Sequence, residues 1–305
     1  MIASGGGTAL ARVALAGNPS DLYGGAVLAV TLEAWSAEAL VAPARHVRVE
    51  PASRLVEATL RRFGRDFHPP QSRVWIRWRS SIPRTVGLGG SSALVIATAR
   101  ALCEHCLLSP GRDELAEFAL SVETEELGIT AGPQDRLAQA YGGLTYMDFS
   151  DGRPSCEPLD RALLPPVLIA WRPEPGGASG DVHAAARARP ALGQSELKAT
   201  VAGLADAARA ARDALLAGDQ AGFASAVDRT LDLRSRLMEL DSASLDMARI
   251  ARSCGAAANY TGSGGAIVAV ATSADRLHDT ANRLQALGCG VLLSVERYAP
   301  TGSSG

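Results

Sequence analysis

The residues in this chain best suited to chemistry sit in glycine-rich loops. The densest is Pro83-Arg84-Thr85-Val86-Gly87-Leu88-Gly89-Gly90-Ser91-Ser92-Ala93. Its glycines let the backbone pass close to a ligand, and Ser91-Ser92 opens an apolar run that reads as a long helix from Ala93 to Leu108. The free amides and the dipole at such a helix start attract an anion, so in physical terms the stretch is a phosphate cradle. It is not a Walker-type loop, because it holds no lysine. A serine hydroxyl at the helix start caps the backbone or reaches a magnesium ion bound to phosphates. A second glycine loop, Asn259 to Ala266, lies immediately before a strand-like run and can approach the same ligand from the other half of the chain. A third, polar loop follows Arg12 near the N-terminus: Gly17-Asn18-Pro19-Ser20-Asp21-Leu22-Tyr23-Gly24-Gly25.

Composition removes several rival chemistries. The 305 residues carry 30 Lys+Arg against 32 Asp+Glu, a formal net charge of −2, which argues against the sequence-independent phosphate attraction of nucleic-acid binders. Lys198 is the only lysine, and its helical setting reads as an exposed surface position, so lysine-nucleophile chemistry is not expected. Five cysteines without regular spacing make no disulfide framework. Cys103 and Cys106 have metal-site spacing but no second pair, and read as partly buried helix residues. No apolar run approaches the ~20 residues of a membrane span. The first eight residues lack the pattern of a secretory signal, so a cytoplasmic location is expected.

The elements that must position these loops follow from periodicity. Strands are expected at Leu10–Ala16, Gly24–Leu32, Arg73–Arg79, Leu144–Phe149, Val167–Trp171, Ala266–Ala271 and Gly290–Val295. Helices are expected at Arg54–Phe63, Ala93–Leu108, Asp113–Leu127, Gln134–Tyr141, Leu197–Leu216, Gln220–Leu240, Ser244–Cys254 and Ser273–Leu287, with a Pro/Gly loop at Pro173–Asp181. Strands and helices do not alternate regularly, which favours an α+β fold over a doubly wound sheet. Prolines cluster at 154, 158, 165 and 166, and the composition shifts there; two domains are expected, 1–160 and 161–305.

Taken together, the three loops resemble the signature motifs of the GHMP kinase superfamily. Further stretches are similar to the glucuronokinases within it: Gly17 to Tyr23, Ile82-Pro83-Arg84, Glu125 to Arg136, Tyr141 to Phe149 and Asp232-Leu233-Arg234. The similarity covers most of the chain apart from the first ten residues, the last few and the region around 185–215. It implies a two-domain α+β fold with the site in the interdomain cleft, and ATP- and Mg2+-dependent phosphorylation of the anomeric hydroxyl of D-glucuronate. Galacturonate, galactose or a heptose phosphate are the alternative substrates, and a non-catalytic sugar- and ATP-binding protein is the reading from another class. Small molecules, not nucleic acid or membrane, are the expected partners.

The resemblance also implies roles. Gly87, Leu88, Gly89, Gly90, Ser91 and Ser92 would wrap the ATP phosphates, with Ser91 or Ser92 reaching the metal, and Gly262, Gly264 and Gly265 would line the nucleotide from the C-terminal half. Asp135 would be the general base and Arg12 the cation that orients it. Glu123, which precedes Asp135 by 12 residues, fits the family's magnesium carboxylate, with Glu125 the other candidate. Asp21 and Tyr23 would meet sugar hydroxyls, and Arg84, Arg136 or Arg234 a substrate carboxylate.

Overall fold

The apolar alternation near the N-terminus becomes, in the computed structural model, two long antiparallel strands, β1 (Gly5–Ala16) and β2 (Ala26–Pro43). Residues 4–67, 73–173 and 193–294 are described. β2 is the spine of the first sheet. β1 runs along one of its edges, while β5 (Leu144–Asp148) and β4 (Val74–Ser80) share the other. β3 (Arg48–Glu50) pairs in parallel with β4, and β6 (Ser155–Leu159) closes against β5. Four helices cover this sheet or flank it: α1 (Arg54–Asp66), α2 (Gly90–His105), α3 (Arg112–Ser121) and α4 (Gln134–Tyr141).

α2 is apolar on nearly every face, as a core helix must be, and it lies on β1 and β2. The approach is close because β1 begins with glycines. A Cβ on Gly5 would meet the amide of His105 at 2.6 Å and one on Gly7 that of Ala101 at 2.6 Å. Only glycine lets strand and helix backbones come this near.

The second sheet is antiparallel in the order β10 (Gly290–Ser294), β7 (Val167–Trp171), β9 (Ala266–Val270), β8 (Ala257–Tyr260). α5 (Gln194–Ala217) lies against α6 (Gln220–Leu237), β1 and β2, while α6, α7 (Ser242–Ser253) and α8 (Ala274–Ala286) pack on the second sheet. The change from one sheet to the other falls between Leu159 and Val167. Two seams join the halves. One buried cluster runs from β1 through α5 and α6 to β9. At the end of β1, Ala14 N donates to Thr261 O at 3.0 Å, and Asn259 Nδ2 donates to Leu15 O at 3.2 Å.

The expected elements are present with three kinds of difference. β1 starts five residues before Leu10 and β2 extends eleven residues past Leu32. The short strands β3, β6 and β8 were not anticipated: β3 and β8 are only three and four residues long, and β6 is polar and carries Pro158. The helix expected over Asp113–Leu127 keeps α geometry only to Ser121 and continues as a π-helical turn, Val122–Glu126. Lys198 is exposed on the first turns of α5. Cys103 is buried on α2, where burial pushes its thiol up to about 12, and Cys106 caps that helix. The expected loop beyond Pro173 and the last expected strand residue, Val295, lie outside the described residues.

Candidate active site

Arg12 is the hub of the site. β1 carries a register irregularity between Leu10 and Ala11, and Arg12, just beyond it, turns its amide to Leu88 O of the glycine loop at 3.0 Å. Its buried guanidinium grips Asp135 through two nitrogens: Nε donates to Oδ1 at 2.7 Å and Nη2 to Oδ2 at 2.5 Å. Nη1 donates to the carbonyls of Gly87, at 3.0 Å, and Thr261. One side chain therefore ties the carboxylate to both glycine loops.

Asp135 stands on the first turn of α4, where a carboxylate also favours the helix dipole. Burial alone would raise its carboxyl. The charges of Arg12 and Arg136 and the Arg12 hydrogen bonds outweigh that and hold it below the ordinary aspartate value. It is thus an ionised acceptor in a site that excludes most water.

The cradle is built from backbone. Gly87 and Gly89 both have φ +71, a left-handed conformation that favours glycine. A Cβ on Gly87 would lie 2.8 Å from Gly264 O, one on Gly265 2.8 Å from Val86 Cα, and one on Gly262 2.8 Å from Arg12 Nη2. The two glycine loops therefore touch, and side chains there would separate them. At the start of α2 the two serines part ways. Ser92 is buried and its hydroxyl donates to Gly89 O at 3.1 Å, whereas Ser91 is exposed. Leu88, between Gly87 and Gly89, is fully buried, and Gly90 is half-buried at the start of α2.

The π-helical turn separates the two candidate glutamates. Glu123 is buried and accepts from Nε of Arg136 at 2.6 Å and from its Nη2, while Glu125 is exposed and pairs with Arg62. Arg136 also donates to Gly132 O at 2.8 Å, and its Nη1 lies 3.7 Å from Asp135 Oδ2.

Of the expected sugar-binding residues, Asp21 is buried with Oδ2 3.5 Å from the Gln134 amide at the start of α4, and Tyr23 is half exposed. A Cβ on Gly132 would lie 2.8 Å from Leu22 Cδ2, so a glycine there lets the N-terminal loop close on the start of α4. Burial, with the nearby charge of Asp135, pushes the Asp21 carboxyl up to about 7. Arg84 is exposed on the approach to the cradle. Arg234, on α6, is buried with its guanidinium 5.3 Å from the Tyr260 ring centroid and donates from Nη2 to Gly262 O.

Sequence reasoning missed the residues that lace these loops together. Gln139 Nε2 donates to Leu10 O at 2.9 Å and Gly89 O at 2.8 Å, and Thr261 Oγ1 donates to Gly87 O at 3.0 Å. Asn18 Nδ2 donates to Tyr260 O at 3.1 Å. Helical spacing puts Gln139 near Asp135 on α4, which is the one signal that could have found it.

Comparison with known proteins places these features in context. Residues 52–143 match the GHMP kinases N terminal domain. Glucuronokinase 1 of Arabidopsis thaliana is 31% identical over 303 residues, spanning 85% of this chain and 82% of that protein. Among solved structures, phosphomevalonate kinase of Streptococcus pneumoniae in complex with phosphomevalonate and AMPPNP superposes with a TM-score of 0.78 at 16% identity, covering 94% of this chain and 98% of that one. Galactokinase of Lactococcus lactis complexed with galactose gives 0.78 at 15% identity, over 95% and 92% of the two chains.

Proposed function

The chain belongs to the GHMP kinases, a family that uses ATP, and on that premise we propose that it phosphorylates the anomeric hydroxyl of D-glucuronate, giving glucuronate 1-phosphate and ADP. The observation that carries the kinase chemistry is the Arg12–Asp135 pair, anchored to Gly87 and Thr261 where the two glycine loops meet. The choice of sugar rests on the similarity to Arabidopsis Glucuronokinase 1 along most of the chain.

In this reading the anomeric oxygen attacks the γ-phosphorus, the bond to the β-phosphate oxygen breaks, and the hydroxyl proton passes to Asp135. Arg12 fixes the direction of that carboxylate. Because it also keeps the carboxylate strongly ionised, Asp135 contributes orientation as much as proton affinity. The amides of the Gly87–Ser92 loop and the start of α2 receive phosphate oxygens, with Gly262, Gly264 and Gly265 opposite them. Asp21 and Tyr23 meet ring hydroxyls.

The donor set suits magnesium, which takes hydroxyl and carboxylate oxygens together with phosphate oxygens. Ser91, whose hydroxyl stands at the exposed start of α2, and Glu123 would hold it. Bound there, the ion neutralises phosphate charge during transfer. Glu123 would share its carboxylate between the ion and Arg136.

A coupled ADP-release assay across sugars tests the substrate. Turnover with glucuronate and little with galactose is the expected result. Turnover with another sugar and none with glucuronate sinks the substrate assignment while leaving the kinase class intact.

A further inference from the structure

The three guanidinium groups closest to the chemistry are not equivalent. Arg12 is paired with Asp135 and Arg136 with Glu123. Arg234 is only 3% exposed, yet it has no carboxylate partner within ion-pair distance among the described residues. Nη2 is satisfied by Gly262 O, but Nε and Nη1 have no hydrogen-bond partner.

Four other side-chain oxygens around the site are unpartnered in the same way, Oδ1 of Asp21, Oε1 of Gln134, Oε1 of Gln139 and Oδ1 of Asn259, and of these residues only Asp21 carries a charge. Arg234 feels the charge of Asp21, yet the two do not meet. A core built for stability alone would join them, because buried polar atoms left unsatisfied destabilise the fold. A ligand that supplies an anionic acceptor to Arg234 and a hydroxyl donor to Asp21 satisfies both at once. A neutral sugar supplies only the second.

We infer that Arg234 is the specificity-determining residue that takes the substrate's carboxylate, and that Arg84 and Arg136 do not. The inference deepens the proposed function and rests on it. Arg84 is exposed, without a rigid seat, and Arg136 is spent on Glu123 and Gly132 O. Arg234 is held in place by the Tyr260 ring on one side and by the second glycine loop on the other. A guanidinium so fixed offers planar N–H donors that match a planar carboxylate. Recognition of the acid by a group that also buttresses Gly262 links the sugar's charge to the loop facing the nucleotide.

The test compares D-glucuronate with D-glucuronamide, which has the same shape without the charge. Wild-type protein is expected to favour the acid in kcat/KM by on the order of 100-fold, the worth of a charge-assisted hydrogen bond. Arg234→Gln is expected to collapse that ratio towards one, mainly through KM for the acid, and Arg234→Lys to restore part of it. Structural damage alone would lower both substrates alike and leave the ratio unchanged. An unchanged ratio in Arg234→Gln, or equal use of acid and amide by the wild type, overturns the inference while glucuronate turnover stands. Absence of uronate turnover by the wild type, with another sugar accepted, overturns the proposed function and this inference with it.

Discussion

Arg12 holds both carboxylate oxygens of Asp135, at 2.7 and 2.5 Å, while its remaining nitrogen holds the carbonyls of Gly87 and Thr261. The candidate base is therefore aimed by a side chain that also senses whether the two glycine loops are together. Asp135→Asn keeps the shape but loses the proton acceptor and the charge. Its kcat is expected to fall by about 10²–10⁴, with KM for ATP little changed. Steady-state kinetics with the preferred sugar check this, and wild-type kcat would remove Asp135 from the role of base. Arg12→Gln strands a buried carboxylate and two carbonyls, which costs about 3–5 kcal/mol and lowers Tm by roughly 10 °C.

Glu123 and Arg136 form a pair that is almost wholly buried, with side-chain exposures of 2% and 6%. Glu123→Gln and Arg136→Gln are each expected to destabilise by about 3–5 kcal/mol, and the double variant by clearly less than the sum. Urea unfolding of the four proteins measures the coupling; additive losses would contradict it. Glu123→Gln is also expected to raise the half-saturating magnesium concentration without a matching change in KM for the sugar.

Asp21 gives the fold a pH signature. Its carboxyl is raised to about 7 in the folded chain against 3.8 when exposed, so between these values the native state holds a proton that the unfolded chain has lost. Stability from this group is complete below pH 4 and is lost as the pH rises towards 7, with a slope of at most about 1.4 kcal/mol per pH unit. Asp135, shifted downwards, acts only below that window. Urea midpoints of the wild type are expected to decline from pH 4 to 7 and those of Asp21→Asn to stay level. Parallel curves for the two proteins would contradict the assignment.

The glycines separate folding from catalysis. Gly7→Ala drives a methyl group into the backbone of α2, 2.6 Å from the Ala101 amide, and is expected to lower Tm strongly far from the cradle. Gly262→Ala pushes a methyl group between the Gly87 carbonyl and the Arg12 guanidinium. It is expected to raise KM for ATP and lower kcat as well as Tm. Calorimetry and ATP titration distinguish the two, and near-normal kinetics in Gly262→Ala would argue against contact between the loops in the working enzyme.

How much of this was legible in the sequence depends on the kind of signal. The glycine loop and the helix it opens were, because glycines directly before an apolar run mark the turn into a buried helix, and the α+β order followed from irregular alternation of elements. The choice between Glu123 and Glu125 was not. An α-helical wheel carried through to Leu127 puts them on opposite edges of one face, whereas the π-helical turn widens the spacing and delivers Glu123 inward and Glu125 to Arg62. The first residues of β1 were hidden because glycine is depleted in strands, and its purpose here, contact with α2, is visible only in three dimensions. Arg234 was one of three arginines that the resemblance offered for a substrate carboxylate, and the sequence did not choose among them. Burial without a carboxylate partner, the property that singles it out, belongs to no local pattern.

The glycine start of β1 does more than admit a neighbour. Gly5, Gly6 and Gly7 seat the strand on the far end of α2, where Gly6 N also donates to Glu104, and the Arg12 amide pins it to Leu88 at the near end. Strand and helix are thus bolted at both ends into one strut. Whatever displaces the helix mouth must swing Arg12 with it, and through Arg12 the Asp135 carboxylate and the carbonyl of Thr261. A ligand held where the glycine loops meet would then face a single lever, not two independently hinged jaws.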